Sequence, residues 1–338
     1  MLQSTNQRIA YLDILRLLAT FAVILIHIIA DVLPLSFMQF NWYVAVVGGS
    51  LVRWAVPVFV MISGALYLDP QKEITMGLVL KKKIPRLLLA YAAWWLIYAL
   101  AILTVWCFIK KEPFQAEWIA PHYHLWFLPM LAGVFLLIPL LRPIAANEKL
   151  LRYALVIWLC YLACSFAMVK EIKQFTPLFA MNTIVGYAGY FLLGYFLSIL
   201  ETSKRQRIVI YLLGIIGALA TIGGSIGLSV YTGAFNEKFY AFLSLHVAMM
   251  SMALFVFVKE NSCHIGTGTQ RLLEFVRYDL FGVYLTHDLW LMVLYKDVIR
   301  NLTNHVLTSL LICLLTFVLS LYTTKLIRKI PFVKHIVE

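Results

Sequence analysis

Charge is what this 338-residue sequence has least of. Only 13% of its residues are Asp, Glu, Lys or Arg, about half the ~25% usual in soluble domains. Hydrophobic residues make up 62%, and the mean hydropathy is +0.87. Together these values exclude a water-soluble fold. Cysteine is scarce as well: Cys107, Cys160, Cys164, Cys263 and Cys313 are scattered, with no CxxC and no zinc-ligand spacing. A disulfide scaffold, a structural zinc site and a redox centre are therefore not expected. Cys160 and Cys164, one helical turn apart, read as small packing residues. Also missing are an internal repeat of the transporter kind and any polar stretch that would hold a soluble domain. The chain reads as a single transmembrane domain over residues 1–338.

What is present are apolar runs of bilayer-spanning length, about 20 residues each. Ten spans are expected at roughly 10–30, 43–68, 84–108, 124–141, 151–169, 182–200, 208–228, 239–258, 279–295 and 306–326. The fold class is all-α, a polytopic integral membrane protein. The first run is not read as a cleaved signal peptide, since it is too long, holds charges and ends without a small-x-small site. The net charge of +12 does not point to nucleic acid; in a bilayer the side that carries the basic residues matters. With an inside N-terminus, nineteen Lys and Arg fall on inner segments, seven on outer ones, and Arg16 and Arg53 lie within spans. Both termini are therefore expected in the cytoplasm.

The few charges inside the spans are the informative ones, because an ionisable residue at mid-membrane is costly and usually faces protein or a wet cavity. The first span, "YLDILRLLATFAVILIHIIAD", carries Asp13, Arg16, His27 and Asp31. Arg16 and His27 are eleven steps apart, about 20° past three full turns, so they share one face about 16 Å apart along the axis. Asp13 is placed to pair with Arg16, and Asp31 to hold a ring nitrogen of His27. Arg53 stands deep in the second span, whose Ser63-Gly64 pair allows close helix approach. His287 follows Arg277 by ten residues in the ninth span. His124 and Trp126 open the fourth. Taken singly, several of these fit plain roles: a snorkelling Arg16, a packing His27 or His287, an interfacial Trp126.

In combination they resemble a known family. Arg16-x10-His27, preceded by "LDILR", is similar to the first-helix signature of the acyltransferase-3 family of bacterial membrane O-acyltransferases. "VPVFVMISG" (56–64), "HLWFL" (124–128) and "FGVYLTH" (281–287) resemble its later motifs, in family order. Arg53 ahead of the second motif is similar to the subgroup of the enterobacterial common antigen O-acetyltransferase. One departure is Lys83-Ile84-Pro85-Arg86, where the family has Arg first; lysine offers phosphate a point charge rather than a bidentate fork.

The resemblance implies acetyl-CoA as a co-substrate taken from the cytoplasm, no tightly bound cofactor and no metal. It further implies a saccharide or lipid-linked glycan as acceptor and a place in the bacterial inner membrane. Lys81, Lys82, Lys83 and Arg86 offer charge for the phosphates of coenzyme A, with Arg16 above them; a plain positive-inside loop is the alternative. His27 is then expected as general base or transient acyl carrier, with Asp31 behind it and Arg53 as oxyanion donor. His287 is a second base candidate. His124, Trp126 and Ser63 are assigned to the acceptor. No nucleic-acid partner is expected, and a homo-oligomer is compatible with the sequence. Intramembrane histidines and carboxylates equally suit a proton-coupled or polysaccharide carrier, and a membrane-embedded sensor domain is a third reading.

Overall fold

In hydrocarbon no water satisfies the peptide groups, so an apolar run must close its own hydrogen bonds as a helix. The structure, a computed structural model, describes residues 2–33, 37–168, 177–262, 265–298, 305–331 and 333–337. Lys170, Lys173, Cys263 and Arg300 lie outside the described residues, as do the side chains of Arg8 and Lys296. Among the described residues there are helices and no strands. They are α1 (Leu2–Val32), α2 (Phe40–Leu51), α3 (Ala55–Tyr67), α4 (Met76–Leu78), α5 (Ile84–Leu103), α6 (Phe127–Leu136) and α7 (Ile138–Ala146). Then follow α8 (Glu148–Met168), α9 (Pro177–Ile199), α10 (Lys204–Thr232), α11 (Leu245–Asn261), α12 (Thr267–Val276), α13 (Leu280–Val298) and α14 (His305–Arg328).

Each of the ten expected runs is helical over most of its length. Six described helices are long and apolar enough to cross a membrane, or seven when the bent pair α6–α7 counts as one. The count of ten is not reached by that measure. The described parts of α9 and α13 form shorter apolar helices, Thr183–Ile199 and Leu280–Leu294. Two expected spans are also interrupted. A turn at Val52–Trp54 separates α2 from α3, four residues ahead of Pro57, whose ring would clash with the carbonyl of Arg53 in a continuous helix. A 58° bend separates α6 from α7, where Pro139 removes a backbone donor.

The packing is inverted relative to a soluble protein. On α10, Ile208, Leu212, Ile215 and Leu219 are exposed, while Gly214, Gly217, Thr221 and Ser225 are buried. Apolar residues facing outward and small or weakly polar ones facing a neighbour is the pattern of helices solvated by lipid. α1 is the hub, touching α2, α3, α11, α12, α13 and α14. That placement lets its polar face look into protein rather than lipid. Arg142 donates to the carbonyls of Tyr67, Asp69, Pro70 and Lys72 at 2.8–3.4 Å, which anchors the loop after α3. Beyond that loop a π-helical turn, Val79–Lys83, leads into α5.

α3 and α9 cross at a glycine pair. A Cβ on Gly64 would strike the backbone carbonyl of Phe191, and one on Gly194 the carbonyl of Met61. Gly64→Val should therefore lower the thermal midpoint in detergent, by the equivalent of at least ~1–3 kcal/mol of overpacking. Gly223→Ala, whose Cβ meets nothing within 4 Å, should leave the midpoint unchanged or raise it, since alanine favours helix.

Candidate active site

Two sites lie along α1, one at each end of its Arg16-to-His27 face. The first is a cavity of about 650 Å³ at the end of the bundle that carries Lys83, Arg86 and the C-terminus of α14. Its cations come from four elements: Arg16 on α1, Lys83 and Arg86 at the π turn and the start of α5, Arg277 after α12, and Arg328 at the end of α14. Two of the five are held by buried carboxylates. Arg16 donates to Asp13 at 2.7 Å, and Asp279, 1% exposed, takes Arg328 at 2.5 Å and Lys325 at 2.9 Å. Five cations against two carboxylates leave the mouth strongly positive. Its apolar lining includes the rings of Phe59, Phe127, Phe135 and Tyr284. Such a volume suits a small-molecule site, and its polarity suits a ligand anionic at one end and extended at the other.

The second site is a cluster of imidazoles. The ring of His27 lies 5.2 Å from that of His287, stacked at 24°, and 6.3 Å from that of His124. His124 and His287 are 5.0 Å apart and are 1% and 0% exposed. Tyr284 joins the cluster to the cavity: its ring lines the cavity, its hydroxyl donates to the His124 carbonyl at 2.5 Å, and its own carbonyl faces His287 Nδ1 at 2.5 Å. A carbonyl only accepts, so His287 Nδ1 carries the proton. His287 Nε2 is buried without a hydrogen-bond partner, and so is His124 Nε2. Buried polar atoms are normally paired, so two such nitrogens on neighbouring rings stand out.

A carboxylate stands behind His124. Asp288 Oδ2 lies 3.2 Å from His122 Nε2, and His122 Nδ1 lies 3.1 Å from His124 Nδ1. Asp288 Oδ1 accepts from the Tyr123 hydroxyl at 2.5 Å. The Tyr98 ring stacks on His122 at 4.4 Å, and its hydroxyl donates to the Leu285 carbonyl at 2.9 Å. Burial pushes the His122 imidazole, which precedes the span, down to about 4. Donor atoms of His122, His124 and Asp288 all lie within 4.8 Å of one another, close enough to consider a divalent ion. The same atoms also line up as a chain of close polar contacts running from Asp288 through His122 to His124.

The structure thus brings Arg16, Lys83, Arg86 and Ser63 to the cavity and His27, His124 and His287 to the cluster. Lys82 is exposed and is not among the cavity residues. Asp31 is exposed at the end of α1. Arg53 sits in the turn between α2 and α3, its guanidinium 4.0 Å over the Tyr240 ring and 5.2 Å from Phe242. Phe242 in turn stacks on Trp126 at 6.3 Å. Arg53 Nε is buried without a partner.

Sequence reading passed over Arg328, Tyr98, Tyr123, His122 and Asp288, and took Arg277 only as a marker of depth. Two signals were available. Arg277 precedes His287 by ten residues, as Arg16 precedes His27 by eleven, and His122 stands two residues before His124 in "PHYHLWF".

No curated protein and no solved structure matches the chain. Residues 9–325 match the family model of the acyltransferase domain, acyltransferase family 3. A match over nearly the whole length, on a helical bundle that joins a cationic cavity to an imidazole cluster, places the chain in the acyltransferase-3 family.

Proposed function

We propose that this membrane acyltransferase is an O-acetyltransferase. It moves an acetyl group from cytoplasmic acetyl-CoA to a hydroxyl of a cell-surface or exported saccharide, free or lipid-linked. The observation that carries this reading is the cavity, lined by five cations and several aromatic rings, one of them the tyrosine that also holds the histidine cluster. The phosphates of coenzyme A are matched by Arg16, Lys83, Arg86 and Arg277, and the pantetheine arm by the aromatic walls. The thioester then reaches the imidazoles about 16 Å beyond Arg16. With the basic end in the cytoplasm, both termini of a ten-span bacterial inner-membrane protein face inward, in line with its Lys and Arg distribution.

Transfer requires the acceptor oxygen to attack the thioester carbonyl, the C–S bond to break, and the hydroxyl proton to pass to the coenzyme A sulfur. The imidazole cluster carries that proton. His27, on one face with Arg16, is the ring assigned to the donor end. Arg53 is the fixed cation available to the developing oxyanion. Trp126, stacked on Phe242, offers an aromatic neighbour for a sugar ring.

Calorimetry with acetyl-CoA in detergent, together with free-CoA release, tests the reading. Arg16→Ala should weaken binding roughly 10-fold or more, the scale of one charge-assisted contact. His27→Ala should bind as wild type does and release no CoA. In the same assay Arg277→Ala should weaken binding comparably to Arg16→Ala, whereas Lys82→Ala should leave it unchanged, because only Arg277 faces the cavity. Folded wild type that binds no acetyl-CoA up to millimolar concentrations would sink the donor assignment. The carrier reading, which the two interrupted spans also suit, would then take its place.

A further inference from the structure

We propose that Asp288 and His122 are positioning residues that hold His124 in one tautomer, and that His124 Nε2 is the base that takes the acceptor's proton. The inference rests on the O-acetyl transfer reading and names the groups that act on the acceptor.

The atoms of the chain determine their own protonation. A carboxylate accepts only, so the His122 nitrogen facing Asp288 Oδ2, Nε2 at 3.2 Å, carries a hydrogen. Burial favours the neutral form of His122, and in that form its Nδ1 is a bare acceptor. The contact of 3.1 Å between the two Nδ1 atoms then requires the hydrogen to lie on His124. With Nδ1 protonated, the lone pair of a neutral His124 is on Nε2, the nitrogen buried without a partner. Each link is braced. Asp288 is held by the Tyr123 hydroxyl at 2.5 Å, the His122 ring is clamped under Tyr98, and the His124 backbone is tied down by Tyr284. A carboxylate that orients one imidazole through the other nitrogen's hydrogen is a recurrent device for preparing a base; here it acts through two rings. Tyr123, 55% exposed, links this chain to the surface of the bundle.

In the step itself the acceptor hydroxyl gives its proton to His124 Nε2 as its oxygen forms the new C–O bond to the acyl carbon. The C–S bond breaks, the electron pair leaves on sulfur, and the proton passes to the coenzyme A thiolate. His124 ends as it began, and Asp288 and His122 exchange no net proton.

The test uses the full chain in detergent with 15N-labelled histidine, read by NMR, together with acetyl-CoA binding and CoA release. His124 signals are assigned by their loss in His124→Asn. Wild type should show His124 protonated on Nδ1 and bare on Nε2. His122→Asn keeps an amide oxygen near the former Nδ1 and should preserve that tautomer. His122→Gln, which offers its amide near the former Nε2, should release it to a mixture. Asp288→Asn can donate to His122 and should likewise release it. In His122→Gln and Asp288→Asn the turnover number should fall roughly 100-fold, the lower range for a general base, with acetyl-CoA affinity unchanged because neither residue lines the cavity. A wild-type His124 protonated on Nε2 overturns the proposal, as does an unchanged tautomer in His122→Gln. A shifted tautomer with undiminished CoA release also overturns it, since His124 would then not be the base. If the tautomers behave as expected while wild type binds no acetyl-CoA, the positioning chain stands and the donor reading falls.

Discussion

Arg16 and Arg328 stand at the edge of a low-dielectric bundle because each has a buried carboxylate beside it, Asp13 in one case and Asp279 in the other. An unpaired charge in hydrocarbon costs several kcal/mol, and a pair in a protein interior recovers much of that through short-range attraction. Pairing these two arginines shapes the surrounding helices. α1, with Asp13, Arg16 and His27 inside its span, packs against α3, α13 and α14. The second pairing brings Asp279, at the start of α13, against the last turn of α14, so that Lys325 and Arg328 stay at one end. Lys83, Arg86 and Arg277 complete the positive lining of the cavity.

The second constraint is the backbone of α13. One helical turn, Tyr284 to His287, serves two sites. The Tyr284 ring closes the cavity, its hydroxyl reaches the His124 carbonyl, and its carbonyl selects the tautomer of His287. The next residue, Asp288, anchors His122 and Tyr123. A rigid helix thus carries a wall of the cavity, one histidine of the cluster and the carboxylate behind another. Groups that must work within a few tenths of an ångström are best mounted on such an element.

Much of this was legible in the sequence, for reasons that can be named. Apolar runs become helices in lipid because nothing else satisfies their peptide groups, so each of the ten runs was found as helix. Arg16 and His27 were matched to one face by the helical period alone. The interruptions at Pro57 and Pro139 follow from a missing donor and a ring clash. Lys82 and Lys83 were both assigned to the donor, although only Lys83 stood in the motif; the structure brings Lys83 to the cavity and leaves Lys82 exposed. Arg53, an arginine deep in an apolar run, was legible as unusual; its seat on Tyr240 was not, because that ring lies almost two hundred positions away.

The sequence by itself determined the solvent, the helical class, the family motifs and the R-x10-H face. These depend on composition and on interactions within a few residues along one helix. Only the tertiary structure decided which polar residues meet. Tyr123 and Asp288 are separated by 165 positions and Tyr284 and His124 by 160, and no local period links them. Their meeting is set by how α13 packs against the short 3-10 turn Tyr123–Trp126. That packing turns four scattered histidines into a cluster joined through Tyr284 to a cationic cavity.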